Sequence, residues 1–89
     1  MELSARPRLP RGVKLRHDDA RKRWTLLAPE RIFEVDAVAA AVLELCDGER
    51  DLAGIVAELA ARYNAPAAVI EKDVTAMLTD LKDKRVLEA

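Results

Sequence analysis

The hydrophobic period of this chain changes once, at Asp36, and that change fixes most of what it can fold into. Before Asp36 the apolar residues come in short runs with a period near two. Val13-Lys14-Leu15-Arg16-His17 alternates apolar and basic, as a half-buried strand does. Asp18 to Arg23 is charged apart from Ala20 and suits an exposed hairpin loop. Trp24 to Ala28 is more apolar and predicts a central strand. Pro29-Glu30 predicts a turn, because proline presets φ at a turn's second position. Arg31-Ile32-Phe33-Glu34-Val35 follows as a third strand of β-branched and aromatic character. Three such strands make an antiparallel meander.

After Asp36 the period is helical. Asp36 is a good N-cap, since its carboxylate can accept from the free N–H groups of the first turn. Val38, Ala39, Val42, Leu43 and Cys46 form the first stripe, and Asp47-Gly48 ends that helix. Asp51 caps a second helix with Leu52, Ile55, Val56, Leu59, Ala60 and Tyr63 on one face. Asn64 suits a left-handed position, and Pro66 suits a helix start. The third helix is expected to run to about Arg85, with Ile70, Val74, Met77, Leu78 and Leu81 inward. Lys82, Lys84 and Arg85 sit where cations are favoured, and Val86-Leu87 folds back onto the core.

Three strands then three helices predict an α+β domain with helices packed on one face of a sheet. The tight joint between the second and third helices gives it a winged helix-turn-helix-like character: a three-stranded antiparallel sheet followed by a three-helix bundle. At 89 residues one domain is expected. Residues 1–12, with three Arg, two Pro and Gly12, read as a flexible basic arm, and residues 13–89 as the folded domain.

Catalysis finds little support. One His and one Cys cannot build a zinc site unless several carboxylates converge. Cys46 lies on an apolar stripe without an adjacent base, and His17 is a solvated strand residue. The glycines at 12, 48 and 54 are isolated, so there is no phosphate loop. The chain is therefore read as a non-enzyme with no cofactor and no metal. No apolar run approaches the length needed to span a bilayer, no signal-peptide core is visible, and a lone cysteine fits a reducing compartment. A cytoplasmic protein is expected.

Charge is unevenly placed. Residues 1–31 hold nine basic and four acidic side chains, and residues 32–89 hold six basic and twelve acidic ones. A DNA-binding winged helix is the alternative function. It would have to work through arm and wing, because Glu71 and Asp73 stand against only Lys72 at the start of the third helix, where phosphate would be repelled. The remaining feature is the sheet edge. Lys14 and Arg16 guard the first strand against further pairing. Arg31 to Val35 is less guarded, and unless the third helix or the tail covers it, it offers an edge to an extended peptide.

The run Leu26-Leu27-Ala28-Pro29-Glu30-Arg31, then Val35-Asp36, Leu45-Cys46-Asp47-Gly48, Asp73-Val74 and Leu78 to Leu81 resembles the pyrroloquinoline quinone (PQQ) biosynthesis protein D family, PqqD. Arg8 to Val13 fits the family's opening. Asn64 stands where Gly is usual before Ala65-Pro66, and Asp36 where Asn is common. The resemblance implies a winged-helix-like peptide chaperone, a recognition element for ribosomally made, modified peptides (RiPPs). It implies as partners the precursor peptide PqqA and the radical S-adenosylmethionine (SAM) enzyme PqqE, with no nucleic acid and no membrane. It further implies that the peptide pairs with the third strand and packs on the third helix. Carried onto this chain, the strand is Arg31, Ile32, Phe33, Glu34 and Val35. The helical flank is Val69, Asp73, Ala76, Met77 and Asp80.

Overall fold

The computed structural model describes all 89 residues, Met1 to Ala89. Their order is β1 (Lys14–Asp18), β2 (Arg23–Ala28), β3 (Arg31–Val35), α1 (Ala37–Glu44), α2 (Leu52–Tyr63) and α3 (Ala67–Asp83). The strands form one antiparallel sheet in the order β1-β2-β3. The expected sheet followed by three helices is therefore present. β3 matches its expected span, while β1 starts one residue late. Val13 is buried, but its N–H donates to the Pro10 carbonyl in the preceding turn.

Both hairpins are closed by local chemistry. The carboxylate of Asp18 accepts from the N–H groups of Ala20 and Arg21. The second loop has only two residues, Pro29 and Glu30, because Ala28 already pairs with Arg31. Glu30 has φ 64, and proline followed by a positive φ is the pattern of a type II turn. The pairing register places Leu15, His17, Trp24, Leu26, Ala28, Arg31, Phe33 and Val35 on the helix-facing side of the sheet. Leu26, fully buried, is its centre.

Asp36 caps α1 as its sequence suggests, accepting from the Ala39 N–H at 2.7 Å. The buried face of α1 is Ala40, Ala41, Val42 and Leu43, and Val38 is 56% exposed. The expected stripe is thus rotated toward small residues, and two alanines let α1 lie close against β1 and β2. α2 buries Leu52, Ile55, Val56 and Leu59, whereas Tyr63, on the expected stripe, is 44% exposed. Asn64 takes φ 49, ψ 48 as expected, and α3 packs back on α2. α3 buries Val74, Leu78 and Leu81, with Ile70 and Met77 partly buried beside them. It ends at Asp83 rather than Arg85, because Arg85 turns left-handed at φ 62 and sends Val86 and Leu87 inward.

Within the segment read as an arm, residues 1–12, the stretch from Leu3 to Arg8 is hydrogen bonded to the body. The carbonyls of Leu3 and Ala5 accept from the N–H groups of Ala53 and Leu52, two donors at the start of α2 that the helix cannot itself satisfy. Pro7 is fully buried and its carbonyl accepts from Gly48. Arg8 and Glu88 exchange both backbone bonds, and their side chains pair at 2.9 Å. Proline and arginine hid these contacts from a periodicity reading, since none depends on an apolar repeat. Deleting residues 1–8 is expected to destabilise the domain by about 2 kcal/mol or more, at a net 0.5–1.5 kcal/mol per lost bond. An unchanged midpoint in urea would show that the segment is only laid on the surface.

Candidate functional site

β3 is an edge strand, with β2 as its sole neighbour in the sheet. A two-residue hairpin makes Ala28 and Arg31 a hydrogen-bonded pair, and pairs alternate from there. Arg31, Phe33 and Val35 therefore spend their backbone groups on β2. Ile32 and Glu34 turn theirs outward. No backbone hydrogen bond from a loop, helix or tail reaches residues 31–35 from that side. Neither the third helix nor the tail pairs with that edge through its backbone.

The side chains of the strand divide the other way. Arg31, Phe33 and Val35 face the helices, and Phe33 and Val35 pack against the core. Ile32 and Glu34 lie on the far side of the sheet. Ile32 is 71% exposed, and Glu34 accepts from the Arg23 guanidinium at 2.8 Å. Of the ten expected site residues, these two can meet a fourth strand through backbone alone.

On α3 the expected residues separate into two kinds. Val69, Asp73, Ala76 and Asp80 are spaced at i, i+4, i+7 and i+11 and form one exposed stripe. Met77 lies between that stripe and the core and is half-buried. The polar ties between strand and helix are at the C-terminal end of α3. An Arg31 Nη donates to the Lys84 carbonyl at 2.5 Å. The Arg31 guanidinium carbon stands 5.4 Å from the Phe33 ring centroid, and Lys84 Nζ stands 6.0 Å from it. Lys84 Nζ in turn donates to Asp80 at 2.8 Å. The structure thus links Arg31, Phe33 and Asp80 through Lys84, which in the sequence is legible only as a helix-end cation. Its i, i+4 relation to Asp80 was the available signal. Val69 lies 15 residues before Lys84, about 22 Å along the axis at 1.5 Å per residue. β3 is only about 13 Å from Arg31 to Val35. The helical stripe outreaches the strand.

No group of three or more His, Cys, Asp or Glu side chains is arranged to hold a metal ion. His17 Nδ1 pairs with Asp19 at 2.6 Å, and the imidazole lies 4.7 Å from the Trp24 ring. No helix is long and apolar enough to cross a membrane. The Asp47 carboxyl is held below the usual range by backbone N–H donation from Arg50 and then Glu49. Burial, and next the neighbouring Asp47 charge, push the Cys46 thiol up from 9.0 to about 12. The folded thiol then stays neutral over a range in which an unfolded one ionises. Its stabilisation is complete below pH 9 and is lost as pH rises toward 12. Cys46→Ala is expected to flatten the alkaline loss of stability by roughly 1 kcal/mol per pH unit above 9, read from urea melts. Parallel pH curves for the two proteins would contradict this.

The site is thus an open edge strand beside a helix. The sequence profile described as Coenzyme PQQ synthesis protein D (PqqD) matches residues 23–87. The PqqA binding protein of Rhodopseudomonas palustris strain TIE-1 is 51% identical over 84 residues, covering 94% of this chain and 82% of that protein. This chain belongs to the PqqD family. Among solved structures, its fold matches the NMR structure of the PqqD truncation of Methylobacterium extorquens PqqCD at a TM-score of 0.82. Identity there is 48%, with complete coverage of both chains, and that protein is described as a functional, stand-alone RiPP recognition element. The crystal structure of PqqD from Xanthomonas campestris matches at 0.64 and 44% identity, over 100% of this chain and 99% of that one. The PqqD domain also occurs fused: the bifunctional coenzyme PQQ synthesis protein C/D of Methylorubrum extorquens is 51% identical over 82 residues, 22% of its length.

Proposed function

We propose that this PqqD-family chain is a non-catalytic peptide chaperone of PQQ biosynthesis. It binds the precursor peptide PqqA as a fourth strand along Arg31–Val35 and presents it to the radical SAM enzyme PqqE in the cytoplasm. The observation that carries the reading is the open edge of β3, where Ile32 and Glu34 turn unpaired backbone groups away from the sheet. The names of its relatives as PqqA binding proteins support the choice of peptide. The flank of the groove is Val69, Asp73, Ala76, Met77 and Asp80.

The mechanism makes and breaks no covalent bond in the chaperone. A flexible peptide loses conformational freedom when it pairs, and backbone hydrogen bonds and apolar contact with Phe33 and Met77 offset that loss. Held in one register on a carrier that also meets the enzyme, the peptide has a raised effective concentration at the reacting centre. On α3 the exposed acids Glu71, Asp73, Asp80 and Asp83 outnumber the exposed bases Lys72 and Lys82, which supports a peptide over a phosphate backbone as ligand.

An amide NMR titration of the labelled domain with PqqA tests the proposal. Shifts concentrated on residues 31–35 and on one face of residues 69–80 are expected. Their absence at high micromolar peptide would remove the function while leaving the fold standing.

A further inference from the structure

We propose that Arg31, with Lys84 beside it, forms a carboxylate-reading subsite at one end of the β3 edge. The added strand would carry an Asp or Glu opposite Arg31, two residues from the apolar side chain that covers Phe33. This inference deepens the peptide-binding reading and rests on it.

The helix-facing side of the sheet consists of Leu15, His17, Trp24, Leu26, Ala28, Phe33, Val35 and Arg31. Arg31 is the one Lys or Arg among them. An arginine placed on that side without an ion-pair partner calls for an explanation. None of the five ion pairs in the chain includes it. Its guanidinium makes a single side-chain hydrogen bond, to the Lys84 carbonyl, out of five N–H donors.

Arg31 is nonetheless held. The carbonyl fixes one end of the fork, and the Phe33 ring lies under the guanidinium carbon at 5.4 Å. A side chain immobilised in advance loses little freedom when it binds, and the free edge of a guanidinium fork matches a carboxylate in two-point geometry. Lys84 Nζ stands over the same ring, and its one partner, Asp80, is exposed and exchangeable. Two cations within about 6 Å of one aromatic ring thus stand at the end of the strand.

Strand pairing sets the register. Residues directly opposite on neighbouring strands have Cβ atoms about 5 Å apart, and alternate residues share a face. A peptide residue opposite Phe33 meets an apolar surface. The residue two along, opposite Arg31, meets the guanidinium. An apolar-x-acidic spacing, or its reverse for the other strand direction, is what this edge selects.

The test is a neutralisation scan in both partners. Each Asp of PqqA is replaced by Asn and each Glu by Gln, and the dissociation constants are measured for the wild-type domain and for Arg31→Gln. One position alone should weaken wild-type binding, by about tenfold, and the same replacement should have no further effect on Arg31→Gln. The difference should shrink as salt is raised from about 50 to about 500 mM. The Arg31→Lys and Lys84→Gln proteins provide intermediate cases in which the Arg31 bond to α3 and the charge are changed separately. The inference is overturned if no single neutralisation weakens wild-type binding, or if the effective one weakens Arg31→Gln equally. Amide shifts that persist on residues 31–35 in that case would leave strand addition standing. No shifts with the wild-type domain would overturn both.

Discussion

Ile32→Pro is expected to abolish most peptide binding while leaving the domain folded. The Ile32 N–H points away from β2, so proline there removes no bond of the existing sheet. It removes a donor that a fourth strand would use, and its ring blocks the approach of the incoming carbonyl. Leaving one partner of a strand hydrogen bond unmade costs about 1–3 kcal/mol, roughly a tenfold to hundredfold loss of affinity. Ile32→Ala is the control. It keeps the N–H and trims a side chain that lies on the far face of the sheet, so its affinity should equal that of the wild type. Phe33→Pro gives the opposite result, because the Phe33 N–H belongs to the β2 ladder and its ring packs on the core. That protein should lose stability first. A folded Ile32→Pro domain that binds PqqA with unchanged affinity would show that the β3 edge is not the site, whatever the effect of side-chain changes nearby.

What the sequence made legible follows the same division between side-chain pattern and backbone. β3 was readable to the residue because alternation, a Pro-Glu turn before it and an N-cap after it agree on one span. Asn64 and Asp36 were readable because each supplies a local interaction its neighbours lack. The α1 face was misplaced because large residues dominate a periodicity count, while Ala40 and Ala41 are what the sheet admits. The packing of residues 3–8 was invisible, since it runs through main-chain bonds to Gly48, Leu52, Ala53 and Glu88. In the site, Arg31 and Phe33 were named from the strand, but their tie to Lys84 depends on how α3 ends. Arg85 carries that ending in a left-handed conformation that no glycine announces.

Leu59→Ala is expected to cost about 2–5 kcal/mol, which for a chain of this length lowers the melting temperature by roughly 10 °C or more. Leu59 is 1% exposed on the inner face of α2, inside a single cluster of 16 buried residues. A small domain buries only about 60% of its unfolded surface, so it has no second core to compensate. Tyr63, four residues on along the same stripe, is half-exposed at the end of α2, and Tyr63→Ala should change stability by about 0.5 kcal/mol or less. The contrast checks the packing of α2 directly, and equal melting shifts for the two variants would contradict it. It also separates stability from recognition. Leu59 belongs to neither the β3 edge nor the α3 flank. Below its lowered melting temperature, Leu59→Ala should therefore bind peptide with wild-type affinity, whereas Ile32→Pro should melt near the wild type and fail to bind.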